Sequence, residues 1–299
     1  MRALITGGRG FVGHWLAEHL REQGDEAVVI DIETDVADPG AIGPVVVEAA
    51  PDAIYHLAAR THVGESWDAP SEVLRVNVLG TAEVLAAARA SGTDPLVLVI
   101  SSAEVYGVVR PEDLPLTEDS PVAPATPYAA SKSAAEQVAL QAWRGFGQPV
   151  IVVRPFNHIG PGQAPTFAVP ALARRIVTAL AEGASSLPVG TLTTRRDFTD
   201  VRDVVRAYRL LVEHGEPGSL YNVCSGHDVA IGEIADRLLS LADATLTLET
   251  DPALVRPVDL PVLRGDPGRL ERATGWKPTI ALDDTIADVL AYWRAELAR

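Results

Sequence analysis

The sequence predicts an α/β fold, a Rossmann-type doubly wound parallel sheet with a smaller, discontinuous C-terminal domain. Three observations predict it. Short apolar runs alternate with amphipathic stretches as far as residue 155, a glycine-rich turn at 7–13 joins the first run to the first amphipathic stretch, and the regularity loosens after Pro155. Alternation of this kind is satisfied by parallel strands joined through right-handed crossovers, with helices on both faces of an open sheet.

Each element follows from its local pattern. Residues 2–6 read as a buried strand, 11–21 as a helix closed by Gly24, and 26–31 as the next strand. Residues 39–50 read as helix, 53–57 as strand, 70–90 as one long helix ending at Gly92, and 96–101 as strand. A proline-rich loop, 107–127, leads into a helix over 128–144, and 150–154 form another apolar strand. Farther on, 169–181 and 201–212 are helical, 187–189 form a short strand, and 219–223 form a strand placed to rejoin the first sheet. Residues 225–299 mix helices with a proline-rich segment between 251 and 267. The expected division is 1–165 with 201–224 in one domain and 166–200 with 225–299 in the other.

Composition narrows the function. The chain has 299 residues, 47% of them apolar, enough for a large core. A net charge of −15 argues against nonspecific binding to nucleic acid or to an anionic membrane, since both need a positive field. An anionic ligand must then be held by local arginines and backbone N–H groups. Cys224 is the single cysteine, so no internal disulfide or cysteine-rich metal site is expected, and a reducing cytoplasm is the expected compartment. No export signal is visible, and the apolar runs fall short of the roughly 20 residues that span a bilayer.

Tyr128-Ala129-Ala130-Ser131-Lys132 carries the sharpest chemical signal. The chain has two lysines among 25 basic residues, and one of them stands four residues after a tyrosine. On a helix that spacing puts both side chains on one face, where the ammonium is expected to bias the phenol towards its anion. Ser102, just after the strand 96–101, is expected at the carboxyl edge of the sheet, where such folds bind ligands. A serine orienting a substrate oxygen, a tyrosine exchanging a proton with it and a lysine tuning the tyrosine suit reversible hydride transfer at a carbinol carbon.

Gly7, Gly10 and Gly13 follow a strand and open a helix, the context in which a pyrophosphate approaches a helix N-terminus. Asp31 ends the second strand, about where an acid accepts hydrogen bonds from the ribose of an adenine dinucleotide. Asp31, Glu33 and Asp35 have no arginine between them, so a 2′-phosphate would be repelled, and NAD(H) is expected over NADP(H), which stays possible.

With these pieces assembled, the chain resembles the extended short-chain dehydrogenase/reductase superfamily. The resemblance rests on 6–13, on His56-Leu57-Ala58-Ala59, on Asn77-Val78-Leu79-Gly80-Thr81, on Ser101-Ser102-Ala103-Glu104-Val105-Tyr106-Gly107, on 128–132 and on Arg154-Pro155-Phe156-Asn157. It implies that Phe11, Val12, Asp35, Val36, Leu57, Ala58 and Ala59 line the cofactor and that Pro155 lies near the nicotinamide. It also implies that Asn77 supports the hydrogen-bond network there and that Lys132 holds a nicotinamide ribose hydroxyl.

Residues 154–163, 196–203 and 221–226 look most like GDP-4-keto-6-deoxy-D-mannose reductases, implying a nucleotide-diphosphate sugar substrate held by Asn157, Val169, Arg196 and Arg256. Ion pairing of Arg196 with Asp197 or Asp200 is the plainer alternative. Glu104 stands where the related 4,6-dehydratases carry a glutamate base, so a 4-epimerase or 4,6-dehydratase that retains NAD is the rival enzyme. A dinucleotide-sensing protein without chemistry is the rival outside enzymes. The resemblance further implies a homodimer through the helices 70–90 and 128–144, and no metal is expected.

Overall fold

The computed structural model describes residues 1–254 and 260–299. Within the larger sheet, β1 (Arg2–Thr6) is flanked by β2 (Glu26–Ile30) and β3 (Ala53–His56), both parallel to it. With both edges paired and both faces covered, such strands are apolar throughout. Ala3 and Ile5 point to one face, Leu4 to the other, and none of the three is exposed. The connections are α1 (Phe11–Glu22) and α2 (Ile42–Ala49). Next come α3 (Pro70–Leu74), a π-helical stretch Arg75–Leu79 and α4 (Gly80–Ala90), then β4 (Leu96–Ile100), α5 (Pro127–Phe146) and β5 (Val150–Pro155). The expected continuous helix over 70–90 is thus divided by a π segment, a feature that a hydrophobic pattern does not encode.

After β5 the chain enters a second sheet. β6 (Asn157–Ile159) pairs with β8 (Arg195–Asp200); between them lie α6 (Ala168–Ala181) and β7 (Ser186–Val189). α7 (Val201–His214) then returns to the larger sheet, and β9 (Leu220–Val223) pairs with β5. The order is β2-β1-β3-β4-β5-β9, parallel throughout, which is the fold class that the sequence predicts. Helices α1 and α7 cover one face; α2, α4 and α5 cover the other.

The remaining elements are β10 (Asp228–Ala230), α8 (Ile231–Ala242), β11 (Thr247–Thr250), β12 (Val262–Leu263), α9 (Gly268–Thr274) and α10 (Leu282–Leu297). β10 and β12 flank β8, and β11 pairs with β7. Helices α6, α8 and α10 bury Ile176, Leu238 and Val289 in a core of their own. Asn157 already belongs to the second sheet, whereas Leu270 and Trp276, far into the C-terminal part, pack in the first core against α7.

Trp276 is fully buried and its indole Nε1 donates to the Asp203 carbonyl at 3.0 Å. Asp203 accepts from the Thr279 and Ile280 amides at 2.8 and 2.9 Å, so the segment after α9 is fastened at both ends. Trp276→Ala is expected to destabilise the protein by about 3–5 kcal/mol, read as a lower urea midpoint; an unchanged midpoint would mean that the C-terminal segment is not part of the first core.

Candidate active site

A cleft of about 1230 Å³ opens at the carboxyl ends of the larger sheet and is walled on its far side by the second. Pockets for drug-sized ligands hold about 300–1,000 Å³, so this one has room for a larger ligand or two.

The glycine turn forms one end. Gly7 has φ +67°, and a Cβ there would stand 2.8 Å from the backbone N and Cα of Ala58. At Gly13 a Cβ would stand 2.5 Å from the Gly7 carbonyl oxygen and from the Gly8 Cα. Only glycine lets the start of α1, the turn and the end of β3 come this close. Gly10 caps α1 without a side chain, so the first-turn amides of Phe11, Val12 and Gly13 and the positive end of the helix dipole are left for an anion. His56 steadies this end from behind. Its ring nitrogens pair with Thr6 Oγ1 at 2.8 Å and Thr81 Oγ1 at 3.1 Å, and burial lowers it to about 3, so it stays neutral.

Asp31, Asp35, Val36, Leu57, Ala58 and Ala59 line the cleft beside the turn. Asp31 Oδ2 accepts from the Arg9 amide at 2.8 Å, while the Arg9 guanidinium pairs with Glu33 at 3.1 Å. Arg75 binds Asp35 at 2.7 Å and also Glu72, holding the Asp35 carboxyl below its usual range. The acids have no arginine between them in sequence, yet two arginines reach them in space. Asn77 does not form cleft wall. It is buried one layer out, where Oδ1 accepts from the Arg60 amide at 2.8 Å and Nδ2 donates to the Arg60 carbonyl at 3.0 Å and to Ser131 Oγ at 2.8 Å. It therefore holds the chain beyond Ala59 against α5.

Ser102, Tyr128 and Lys132 meet in the middle of the cleft, all nearly buried. Thr126 caps α5 through the Ala129 amide at 3.1 Å, which starts the helix so that Tyr128 and Lys132 share its buried face. Ser102 caps the short 3₁₀ turn Ala103–Tyr106 by accepting from the Glu104 amide at 3.2 Å. The expected priming of the phenol is not the balance found. Burial pushes Tyr128 up to about 12; its hydrogen bond with Ser102 pulls the other way, and the Glu104 charge raises it further. Burial brings Lys132 down to about 8 against the pull of Glu136, and its Nζ donates to the Ile100 carbonyl at 2.8 Å. The phenol therefore keeps its proton near neutrality, the form a proton donor needs.

Pro155 and Glu104 also line the cleft, and its other end is formed by Asn157 and Arg196 on the second sheet and Val169 on α6. Arg196 Nη1 donates to the carbonyls of Arg195 and Leu260 at 2.9 and 2.6 Å. Asp197 is instead taken up by Ser225 and by the Gly226 and Gly265 amides, and Asp200 by Arg202 and Thr285. Arg256 lies outside the described residues. The sequence reading missed Arg60, His62, Arg75, Gln163, Arg175 and Tyr208 as wall residues. Tyr208 sits on the apolar stripe of α7, so its pattern signals core; Arg175, six residues after Val169 on α6, is off the face that Val169 marks, so helical spacing does not flag it. Among the described residues no cluster of His, Cys, Asp or Glu is placed to hold a metal, and no helix is long and apolar enough to cross a membrane.

The arrangement has close relatives. A family model described as GDP-mannose 4,6 dehydratase matches residues 31–289. The chain is 39% identical to GDP-6-deoxy-D-mannose reductase from Pseudomonas aeruginosa over 99% of its own length and 98% of that protein's. It is 32% identical to UDP-glucose 4-epimerase from Mycolicibacterium smegmatis, over 98% and 99% of the two chains. Among solved structures, RMD from Pseudomonas aeruginosa complexed with NADPH superposes with a TM-score of 0.91 at 38% identity, covering 99% of this chain and 100% of that one. UDP-glucose 4-epimerase from Thermus thermophilus, in complex with NAD, gives 0.88 at 28% identity, over 98% and 99%. Fold, motif order and full-length similarity agree: the chain belongs to the extended short-chain dehydrogenase/reductase family, in its nucleotide-sugar epimerase and dehydratase branch.

Proposed function

We propose that this protein is an NAD(P)H-dependent reductase of a nucleotide-linked 4-keto-6-deoxyhexose, turning GDP-4-keto-6-deoxy-D-mannose into GDP-D-rhamnose. The observation that carries the reading is Ser102, Tyr128 and Lys132 lining one cleft whose one end is a glycine cradle and whose other end carries Arg196. Full-length similarity to a GDP-6-deoxy-D-mannose reductase supports the choice of substrate. We assign the larger sheet to the dinucleotide and the second sheet to the nucleotide sugar, with Asn157, Val169, Arg196 and Arg256 on the sugar side.

Gly7 and Gly13 leave room for a pyrophosphate against the first turn of α1, and Asp31 stands where a ribose diol would donate, so the residues present fit a nicotinamide dinucleotide. When bound, the dinucleotide supplies the hydride. Ser102 orients the C4 carbonyl oxygen, Tyr128 gives its phenolic proton to the alkoxide forming there, and Lys132 holds a ribose hydroxyl and stabilises the phenolate left behind. Around the adenosine end, Asp31, Glu33, Asp35, Asp38 and Glu72 outnumber Arg9 and Arg75, which favours NAD(H). The Arg9 guanidinium is exposed and leaves a route by which NADP(H) is accepted.

A second reading, a 4-epimerase or 4,6-dehydratase that keeps its NAD, is favoured by Glu104, which lines the cleft within electrostatic reach of Tyr128. We place the protein in the cytoplasm, consistent with its buried free thiol at Cys224. We also propose a homodimer through the paired helices α3–α4 and α5, where Leu74 and Leu79 are exposed.

Three outcomes test these assignments. With GDP-4-keto-6-deoxy-D-mannose the protein is expected to oxidise one NADH per ketone reduced, and Tyr128→Phe is expected to slow this roughly 10²- to 10⁴-fold; turnover with no net NADH consumption would instead establish the second reading. Asp31→Asn removes a charged acceptor worth about 1.5–3 kcal/mol, so kcat/KM with NADH should fall ~10- to ~100-fold relative to NADPH; an unchanged ratio removes Asp31 from cofactor choice. Light scattering should show a dimer that Leu79→Asp converts to monomer; equal masses would place the interface elsewhere.

A further inference from the structure

Beneath the catalytic trio lies a cluster that reaches the cleft only through Ser101. Glu136, one helical turn beyond Lys132 on α5, is fully buried. Its Oε1 accepts from Ser101 Oγ at 2.5 Å and from Arg154 Nε at 2.7 Å, and its Oε2 accepts from Arg154 Nη2 at 2.8 Å. Ser101 immediately precedes Ser102, and its amide is bonded to the Val153 carbonyl. Arg154 immediately precedes Pro155, and its guanidinium also lies 4.8 Å over the Tyr106 ring. One carboxylate thus ties together the three elements that deliver Ser102, Tyr128 with Lys132, and Pro155. Lys132 is tied to the same place, through the carbonyl of Ile100.

A buried ion pair is weak support for stability, because well-packed apolar residues of similar volume often replace it without loss. Its presence here calls for another explanation. The position supplies one: β4, β5 and α5 are separate elements, and a bidentate arginine fork fixes their spacing and orientation with a directionality that apolar packing lacks.

Resting on the reductase reading above, we propose that Glu136, through Ser101 and Arg154, is a positioning residue that sets the place and the charge of Lys132 for the chemical step. Of the ionisable groups nearby, Glu136 on the same helix and His56 at the end of β3 interact with Lys132 itself; Arg154 on β5 is paired with Glu136, and Glu104 after β4 and Tyr208 on α7 interact with Tyr128. His56 is neutral, the tyrosines keep their protons and the Glu104 charge acts on Tyr128, so Glu136 is the negative group that opposes the burial of the ammonium.

The test uses three variants of the full chain: Glu136→Asp, the apolar pair Glu136→Leu with Arg154→Met, and Ser101→Ala, which removes one hydrogen bond and leaves the ion pair in place. In Ser101→Ala and in the apolar pair, NADH affinity and the KM for the ketone should stay within about threefold of wild type while kcat falls by about 10-fold or more, a loss matching one or more hydrogen bonds to a charged group. Because the chain has two lysines, the Nζ resonance of Lys132 can be assigned with Lys277→Arg and titrated without any substrate. Its midpoint, about 8 in wild type, should drop by roughly 1 unit or more in the apolar pair, as expected when an opposite charge is lost. Glu136→Asp, which keeps the charge, should restore the midpoint. Wild-type kcat in a folded Ser101→Ala or apolar-pair variant, or an unmoved Lys132 midpoint, overturns the proposal. A wild-type protein that reduces no ketone while Lys132 titrates as described would overturn the reductase reading and leave this inference standing.

Discussion

A buried ammonium is the constraint around which the site is organised. Lys132 has almost no contact with water and is stabilised by the Ile100 carbonyl and the Glu136 charge. Desolvation of a charge this complete is unfavourable unless partners compensate. The partners fix the architecture: the carbonyl belongs to the last residue of β4, and the carboxylate is shared with the end of β5. Side chains flanking those anchor points have little freedom left, which is why Ser102, Tyr128 and Pro155 all line one cleft.

The same low-polarity surroundings act on Tyr128 in the opposite sense. Burial penalises the charged form of each group, so it raises an acid and lowers a base. A phenol pushed up to about 12 beside an ammonium brought down to about 8 are thereby drawn towards forms that can exchange a proton through a bound substrate. Spacing along the helix predicted that the two side chains share a face, which they do. It did not predict which influence on the phenol dominates, because helical periodicity carries no information about the depth of the cleft around it.

Other parts of the molecule were legible to different degrees for similar reasons. β1, β3, β4 and β5 announce themselves as apolar runs, since strands buried on both faces have little room for anything else. β8 is buried too, but its sequence is Arg-Arg-Asp-Phe-Thr-Asp. Its two aspartates are tolerated because they find partners, several of them remote: Asp197 takes up amides from the loops at Ser225 and Gly265, and Asp200 takes up Arg202 and the distant Thr285. No local pattern can show such partners. The encounter of Arg9 and Arg75 with the acidic segment after β2 escaped for the same reason, whereas the glycine turn was readable because its requirement is local and steric.

The π-helical stretch Arg75–Leu79 has a consequence for how the chain tolerates change in length. A π segment behaves as an α-helix that has accommodated one surplus residue, and each residue turns an α-helix by about 100°. Deleting one position there would leave a continuous helix, yet it would rotate the portion before the cut by that angle relative to α4. Asn77 would lose either its grip on Ser131 or its pair of bonds to Arg60, because the two partners lie on different elements. The surplus residue therefore sets the phase between two halves of one helix, and a shorter chain would be regular in backbone and misaligned in function.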